Sequence, residues 1–503
     1  MYKATLHDFF ALILSTFDTI IETGRPICYN VVNLYHPACA ARPFAEDFKI
    51  MLQRYFCTNK NFYRTVLAIT LPIALQNVIS LGVNVMDTVM LGQLGDLALS
   101  AANLGSQPFM ILNSICFGLA SGAAVLIAQY WGRRDMLRIR QLFAISLRCV
   151  LAAAAILSIA GLFFPEWCMS IFSNEADVIT AGAGYLRVLA LSFLCFGFSS
   201  CYIMCLRGVE QVKISMVVYG TSFFVNVFFN YCFIFGKMGF PALGIPGAAW
   251  GTVIARVWEC AVVLFYMCRI EKVVEFTPAW LFKGRSGLIG DYVKNSVPIV
   301  GNELLYGMGT AAANLIIGHM SSQFVAAASI SNVVIQVISV FNWGVSNAAA
   351  VLVGKTIGEG RRHEVEKVAN SLLAISFLLG LTSGILLLVC RSGIVSLYAI
   401  SDEAGLLTYD LLTLLSFLQP FQTLVTTMLV GVLRGGGDVR TNFILDCGLQ
   451  WIVGIPLAAL AAFVWHWPPL LVFLMLRADY PFKLLIGGMR LRSGRWVRTV
   501  TRD

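Results

Sequence analysis

Charge is what this sequence lacks most: Asp, Glu, Lys and Arg make up 13% of its 503 residues, about half the share of an ordinary soluble domain. Histidine is nearly as scarce, with five copies and none paired at a ligand spacing, so a zinc or His-based catalytic centre lacks its parts. There is no G-x-x-x-x-G-K-S/T, no G-x-S-x-G and no H-E-x-x-H, and neither nucleotide-driven work nor hydrolysis has a motif behind it. The chain is therefore expected not to be an enzyme. Its fourteen cysteines form no C-x-x-C, and Cys195, Cys201, Cys205 and Cys232 lie inside apolar runs; they read as small buried hydrophobes, not as a metal or disulfide framework. The net charge of +9 does not point to nucleic acid, because the basic residues are spread between apolar runs.

What is present is apolar: 58% of residues are hydrophobic and the mean hydropathy is +0.77. Long, unalternating runs in a chain that must satisfy its own backbone within lipid imply helices, not barrel strands. At about twenty residues per span, the runs predict an all-α polytopic membrane protein of twelve helices. Six fall near 65–91, 98–130, 137–163, 178–206, 213–235 and 246–268, and six near 290–318, 324–354, 366–390, 406–433, 440–464 and 467–489.

Basic residues cluster in alternate connections: Arg133, Arg134, Arg138 and Arg140; Arg207 and Lys213; Arg269, Lys272, Lys283 and Arg285; Arg361, Arg362 and Lys367; Arg434 and Arg440; and the tail Arg490, Arg492, Arg495 and Arg498. By the positive-inside rule these connections and both termini face the cytoplasm of a plasma (inner) membrane. Residues 1–60 contain an apolar stretch, Phe9 to Ile21, too short to span, and are expected to be a disordered or interfacial extension.

The chain repeats itself. Leu71-Pro72-Ile73 is echoed by Val297-Pro298-Ile299, Leu91-Gly92 by Ile317-Gly318, Gly132-Arg133-Arg134 by Gly360-Arg361-Arg362, and Leu206-Arg207-Gly208 by Leu433-Arg434-Gly435. Six spans per repeat is an even number, so the two lobes have the same orientation about an axis along the membrane normal. The expected organisation is an N-lobe at 61–268, a cytoplasmic linker at 269–289, a C-lobe at 290–489 and a basic tail at 490–503. A central cleft lies between the lobes, the arrangement that alternating-access carriers use.

The residues that carry a family resemblance are Pro72, the run Asp87 to Gly95, the two Leu-Arg-Gly segments, Asn226 and Asn230, and Gly247 to Thr252. In order and spacing, from about Phe62 to Arg498, they resemble the multidrug and toxic compound extrusion (MATE) transporters of the MOP superfamily. The resemblance implies a monomeric secondary antiporter without a cofactor. It would export small organic, cationic or amphipathic compounds from the cytoplasm in exchange for Na⁺ or H⁺, its partners being those substrates and the bilayer.

Within this frame Asp87 is the sharpest candidate, because a carboxylate inside a span is costly enough to imply a use. Asn226 and Asn230 share a helix face, and with Thr252 they lie at a similar depth to Asp87, so the four form an expected cation- or proton-coupling set; the only metal foreseen is Na⁺. Glu303, mid-way along the seventh span, is the fifth coupling candidate. Gln76, Asn84, Asn302, Thr310 and Asn314 are expected to line a substrate cavity, and Pro72, which deletes a helix hydrogen bond, to act as a hinge. Arg256 with Glu259, and Arg477 with Asp479, are expected to pair locally. The rival reading is a lipid-linked precursor or oligosaccharide flippase of the same superfamily. It needs a basic cavity, for which Arg148, Arg187 and Arg256 are the evident donors.

Overall fold

The structure, a computed structural model, describes residues 55–283, 287–398 and 400–501. The chain divides into a unit Met1–Thr58 and a unit Asn59–Asp503. The expectation for the N-terminal extension falls largely outside the described residues, and all the spans belong to the second unit.

Among the described residues there is no strand. The first six spans are α1 (Lys60–Gly92), α2 (Asp96–Gly132), α3 (Met136–Phe163), α4 (Ala176–Gly208), α5 (Lys213–Phe235) and α6 (Ile245–Phe265). The second six are α7 (Ile289–Gly318), α8 (Ser322–Gly358), α9 (Arg362–Ser396), α10 (Asp402–Leu433), α11 (Val439–Phe463) and α12, made of Pro469–Met475 and Asp479–Arg492. Nine of the twelve are long and apolar enough to cross a membrane. The other three, α6, α7 and α12, carry charged residues within the helix: Arg256 with Glu259, Glu303, and Asp479 with Lys483.

Local chemistry sets the ends. The Asn59 side chain accepts from the Asn61 N–H, Ser321 from Phe324 and Ser401 from Ala404, each satisfying a donor that the first turn of a helix leaves free. At the other end of α5, Gly236 adopts φ +64° and returns its N–H to the Cys232 carbonyl, a left-handed cap that suits glycine. The outward faces are apolar, with Phe224, Phe163, Val389 and Ile452 all exposed, as a lipid-facing surface requires.

The two halves meet along a seam of small residues. α2 packs against α7 and α8, and α1 against α8. A Cβ on Gly118 would lie 2.6 Å from the Cα of Val300, one on Gly122 2.7 Å from that of Ser296, and one on Gly344 2.9 Å from the Thr70 carbonyl. Backbones this close need glycine, the usual device of helix association in lipid. The seam is tightest at the end bearing the basic connections. There Gly132 and Gly358 interleave with the opposite backbone, and Lys355 reaches across to Glu210 at 2.8 Å, with Trp131 Nε1 donating to the same carboxylate at 3.1 Å.

Residues 496–500 form a strap over this end. Trp496 is buried, Gln129 of α2 donates to the Arg498 carbonyl at 3.0 Å, and Val500 N–H donates back to Gln129 at 3.0 Å. Arg490 and Arg498 both hold Asp438, in the turn between α10 and α11, at 2.7 and 3.1 Å. The strap thus ties the first half to the second.

Candidate functional site

Between the halves lies a cavity of about 910 Å³, walled mainly by α1, α2, α4, α5 and α6 and closed on the far side by Glu303, Gln336, Trp343 and Asn347 of the second half. Gln76, Ser80, Asn84 and Asp87 of α1 all face it; their spacing of four, four and three residues keeps them on one helix stripe.

At one end of that stripe the expected coupling set assembles. Asn230 Nδ2 donates to Asp87 Oδ1 at 2.6 Å and to Asn226 Oδ1 at 3.2 Å, and Asn226 Nδ2 reaches Thr252 Oγ1 at 3.5 Å. Thr252 in turn donates to the Ala248 carbonyl at 3.1 Å. This leaves Asn230 Oδ1 buried without a hydrogen-bond partner, an uncommon state for a buried oxygen. The atom rests against Gly251, where a Cβ would collide with it and come within 2.9 Å of Asn230 Cγ. The site gathers a carboxylate, two amides and a hydroxyl, whose oxygens are of the kind a hard cation takes; in this structure the Asn230 amide nitrogen bridges the Asp87 and Asn226 oxygens. No group of three or more His, Cys, Asp or Glu able to hold a metal occurs among the described residues.

One tier deeper, Arg256 Nη1 grips both oxygens of Glu259 at 2.8 and 2.9 Å, and Ser222 donates to the same carboxylate at 2.8 Å. The guanidinium also lies over the rings of Phe109 and Phe196, at 5.5 and 5.0 Å. This is the local pairing expected for Arg256 and Glu259.

The floor holds two pairs that the repeat relates. Arg207 Nη2 donates to Gln76 Oε1 at 2.6 Å, and Arg434 Nη2 to Glu303 Oε1 at 3.0 Å, each across 131 residues of chain. Arg434 also reaches Ser121 of the first half at 3.4 Å. Counting Arg207 and Arg434 among the loop cations is therefore corrected: both are buried, at 7% and 1% exposure, because each stands at the end of its helix with its guanidinium turned onto its partner in α1 or α7. Glu303 does line the cavity, but as one member of an ion pair.

Three of the expected cavity residues are not in its lining. Asn302, one residue from Glu303 and so about 100° round the helix, turns away and donates to Asp446 at 3.2 Å. Thr310 and Asn314 share the face of Glu303 two and three turns further along, where both are exposed; the Thr310 hydroxyl donates to the Tyr306 carbonyl at 3.1 Å. Gln76 and Asn84 do line it. Pro72 is buried within the continuous helix α1.

A further buried cluster, behind α7, was not anticipated. Lys483 bonds Asp446 at 2.9 Å and Asp479 at 2.7 Å. The expected pairing of Asp479 with Arg477 gives way to this one, because Lys483 follows Asp479 by one helix turn on the same face, while Arg477 lies over Phe473 and Tyr480. The signal available in the sequence was the repeat: Lys483 occupies the place of Arg256, and Asp479 that of Thr252, at an offset of about 227.

The profile of the MatE family matches residues 72–232 and 298–474, one stretch in each half. The Thermotoga maritima protein named probable multidrug resistance protein NorM is 23% identical over 443 residues, which are 86% of this chain and 93% of its own length. The Synechocystis protein of the same name is 27% identical over 421 residues, 80% and 88% of the two chains. Among solved structures, a MATE in complex with MaL6 superposes with a TM-score of 0.78 at 17% identity over 86% of this chain and 96% of that one. The eukaryotic MATE transporter AtDTX14 does so with a TM-score of 0.76 at 17% identity over 87% and 97%. With a family profile covering both repeats, twelve helices in two like-oriented halves and a polar cavity between them, this multi-pass membrane protein belongs to the MATE family of transporters.

Proposed function

We propose that this transporter is an antiporter that extrudes small organic compounds, cationic or amphipathic, from the cytoplasm in exchange for Na⁺ or H⁺. The observation that carries the reading is the hydrogen-bonded chain Asp87, Asn230, Asn226 and Thr252, of which Asp87, Asn226 and Thr252 line a cavity large enough for a drug-sized molecule while Asn230 is buried behind them. With the basic connections on the cytoplasmic side of the plasma membrane, the sealed seam at Gly132, Gly358 and Lys355 is the inner gate, and the cavity belongs to the outward-facing state.

An ion arriving at Asp87 removes the charge that holds Asn230 and lowers the affinity for a cationic substrate. Coupling follows only if the ion binds the two states unequally, and the seam supplies the second state by parting. Pro72, which leaves the Ala68 carbonyl of α1 without its helix partner, is the place where α1 bends during that change, and the Glu303–Arg434 pair is remade at the floor.

The three arginines expected to serve a lipid-pyrophosphate flippase are engaged or misplaced. Arg148 donates to the carbonyls of Trp280, Leu281 and Lys283, Arg256 is held by Glu259, and Arg187 is exposed.

The test is dye efflux from reconstituted vesicles under separately imposed Na⁺ and pH gradients, with wild type and Asp87→Asn. Wild type is expected to respond to one gradient and the variant to neither. Gradient-driven efflux at the wild-type rate from Asp87→Asn would remove this residue from the coupling mechanism.

A further inference from the structure

The cavity charges do not balance locally. Arg256 is neutralised by Glu259, and Glu303 by Arg434. Two charges are left: Asp87 near one end of the cavity and Arg207 at its floor. Arg207 has no carboxylate within ion-pair distance among the described residues. Its guanidinium donates to Gln76 Oε1 and, weakly, to Met204 Sδ at 3.5 Å, and its Nε is buried with no partner. A guanidinium has five N–H donors and stays charged, so most of its donor capacity is unspent.

The second half shows what is missing. At the repeat-related position Arg434 has Glu303, whereas Arg207 has Gln76, an amide of similar length without the charge. A buried cation left unpaired costs several kcal/mol, and a charge retained within a span points to a use. Gln76 and Asp87 are eleven residues apart on α1, three turns on one face, so the two unbalanced charges stand about 16 Å apart along the axis.

We propose that the cavity selects amphipathic zwitterions: Arg207 and Gln76 receive the substrate's carboxylate, while its ammonium lies toward Asp87. Arginine suits this role because its planar fork matches a carboxylate. The inference rests on the extrusion reading for its direction of transport, but not for the binding geometry.

The probe is aminododecanoic acid, whose chain is long enough to reach from one charge to the other, compared with its methyl ester, which keeps the ammonium and loses the carboxylate charge. Equilibrium binding to the full chain in nanodiscs is measured by calorimetry against empty nanodiscs. Wild type is expected to prefer the acid. Arg207→Gln should weaken the acid about tenfold or more, the scale of a lost charge-assisted bond, and leave the ester within about twofold. Gln76→Glu supplies the carboxylate internally, as the second half does, and should abolish the preference while Arg207 and the fold stay in place. Equal losses for acid and ester in Arg207→Gln, an intact preference in Gln76→Glu, no preference in wild type, or no binding of either probe would each overturn the proposal. The measurement needs no ion gradient, so a failure of ion coupling, seen only in the vesicle efflux assay, is distinguishable from a failure here.

Discussion

Replacing Gly358 by Ala puts the proposed inner gate under the most direct strain. A Cβ at that position would lie 2.7 Å from the carbonyl carbon of Gln129 and 2.9 Å from its Cα, about 0.7 Å inside the 3.4 Å at which ordinary contact begins, with the carbonyl oxygen nearer still. These atoms are the backbone of α2, so no rotamer change relieves the clash; α2 and α8 must separate. Overpacking of this kind costs about 1–3 kcal/mol. The cost falls only on the state in which the seam is closed, so the ratio of closed to open forms should drop by about 5- to 150-fold. Hydrogen exchange followed by mass spectrometry reports this directly. Peptides covering 126–132 and 352–358 should exchange faster in the variant, while peptides covering 84–92 should exchange more slowly or at the wild-type rate. Unchanged exchange at 352–358, together with unchanged transport, would refute the claim that this seam must part during the cycle.

Gly251→Ala should push the Asn230 side chain off Asp87 and abolish the gradient dependence of efflux; because its Cβ would also lie 2.9 Å from the Asn230 backbone nitrogen, α5 and α6 must separate slightly, and thermal unfolding should show an overpacking loss of about 1–3 kcal/mol. Lys483→Met leaves Asp446 and Asp479 buried without their cation and should destabilise by about 3–5 kcal/mol. Adding Asp446→Asn and Asp479→Asn should restore most of the lost melting temperature. Trp496→Ala empties a buried site in the strap and should cost about 3–5 kcal/mol, read as a lower melting temperature and faster exchange around Gln129. Lys355→Met alone should matter little, about 1 kcal/mol or less, because both it and Glu210 are partly exposed; a melting shift as large as that of Trp496→Ala would contradict this.

The helices were legible because lipid demands long apolar runs and the charges mark their ends; the predicted spans agree with the observed ones to within a few residues over most of their length. Asp87, Asn226, Asn230 and Thr252 could be grouped from depth and helix spacing alone, and the folded chain brings them within hydrogen-bond reach of one another. What sequence spacing could not convey was partnership across spans. Arg434 and Glu303 are 131 residues apart, and an arginine beside a connection looks like any loop cation until its helix end is seen to be buried. The Lys483 cluster escaped for a related reason: Asp446 sits in a π-helical turn, Ile444–Gly448, where ordinary helical periodicity no longer predicts which face a side chain takes.

The strap at residues 496–500 also bears on how the molecule is made. The side chain of Gln129 in the second helix finds its partners in Arg498 and Val500, residues that leave the ribosome after all twelve spans have been synthesised. Until then the two halves meet on the basic side without this tie, through the glycine seam and the Lys355–Glu210 pair. The strap is the last of these contacts to be made.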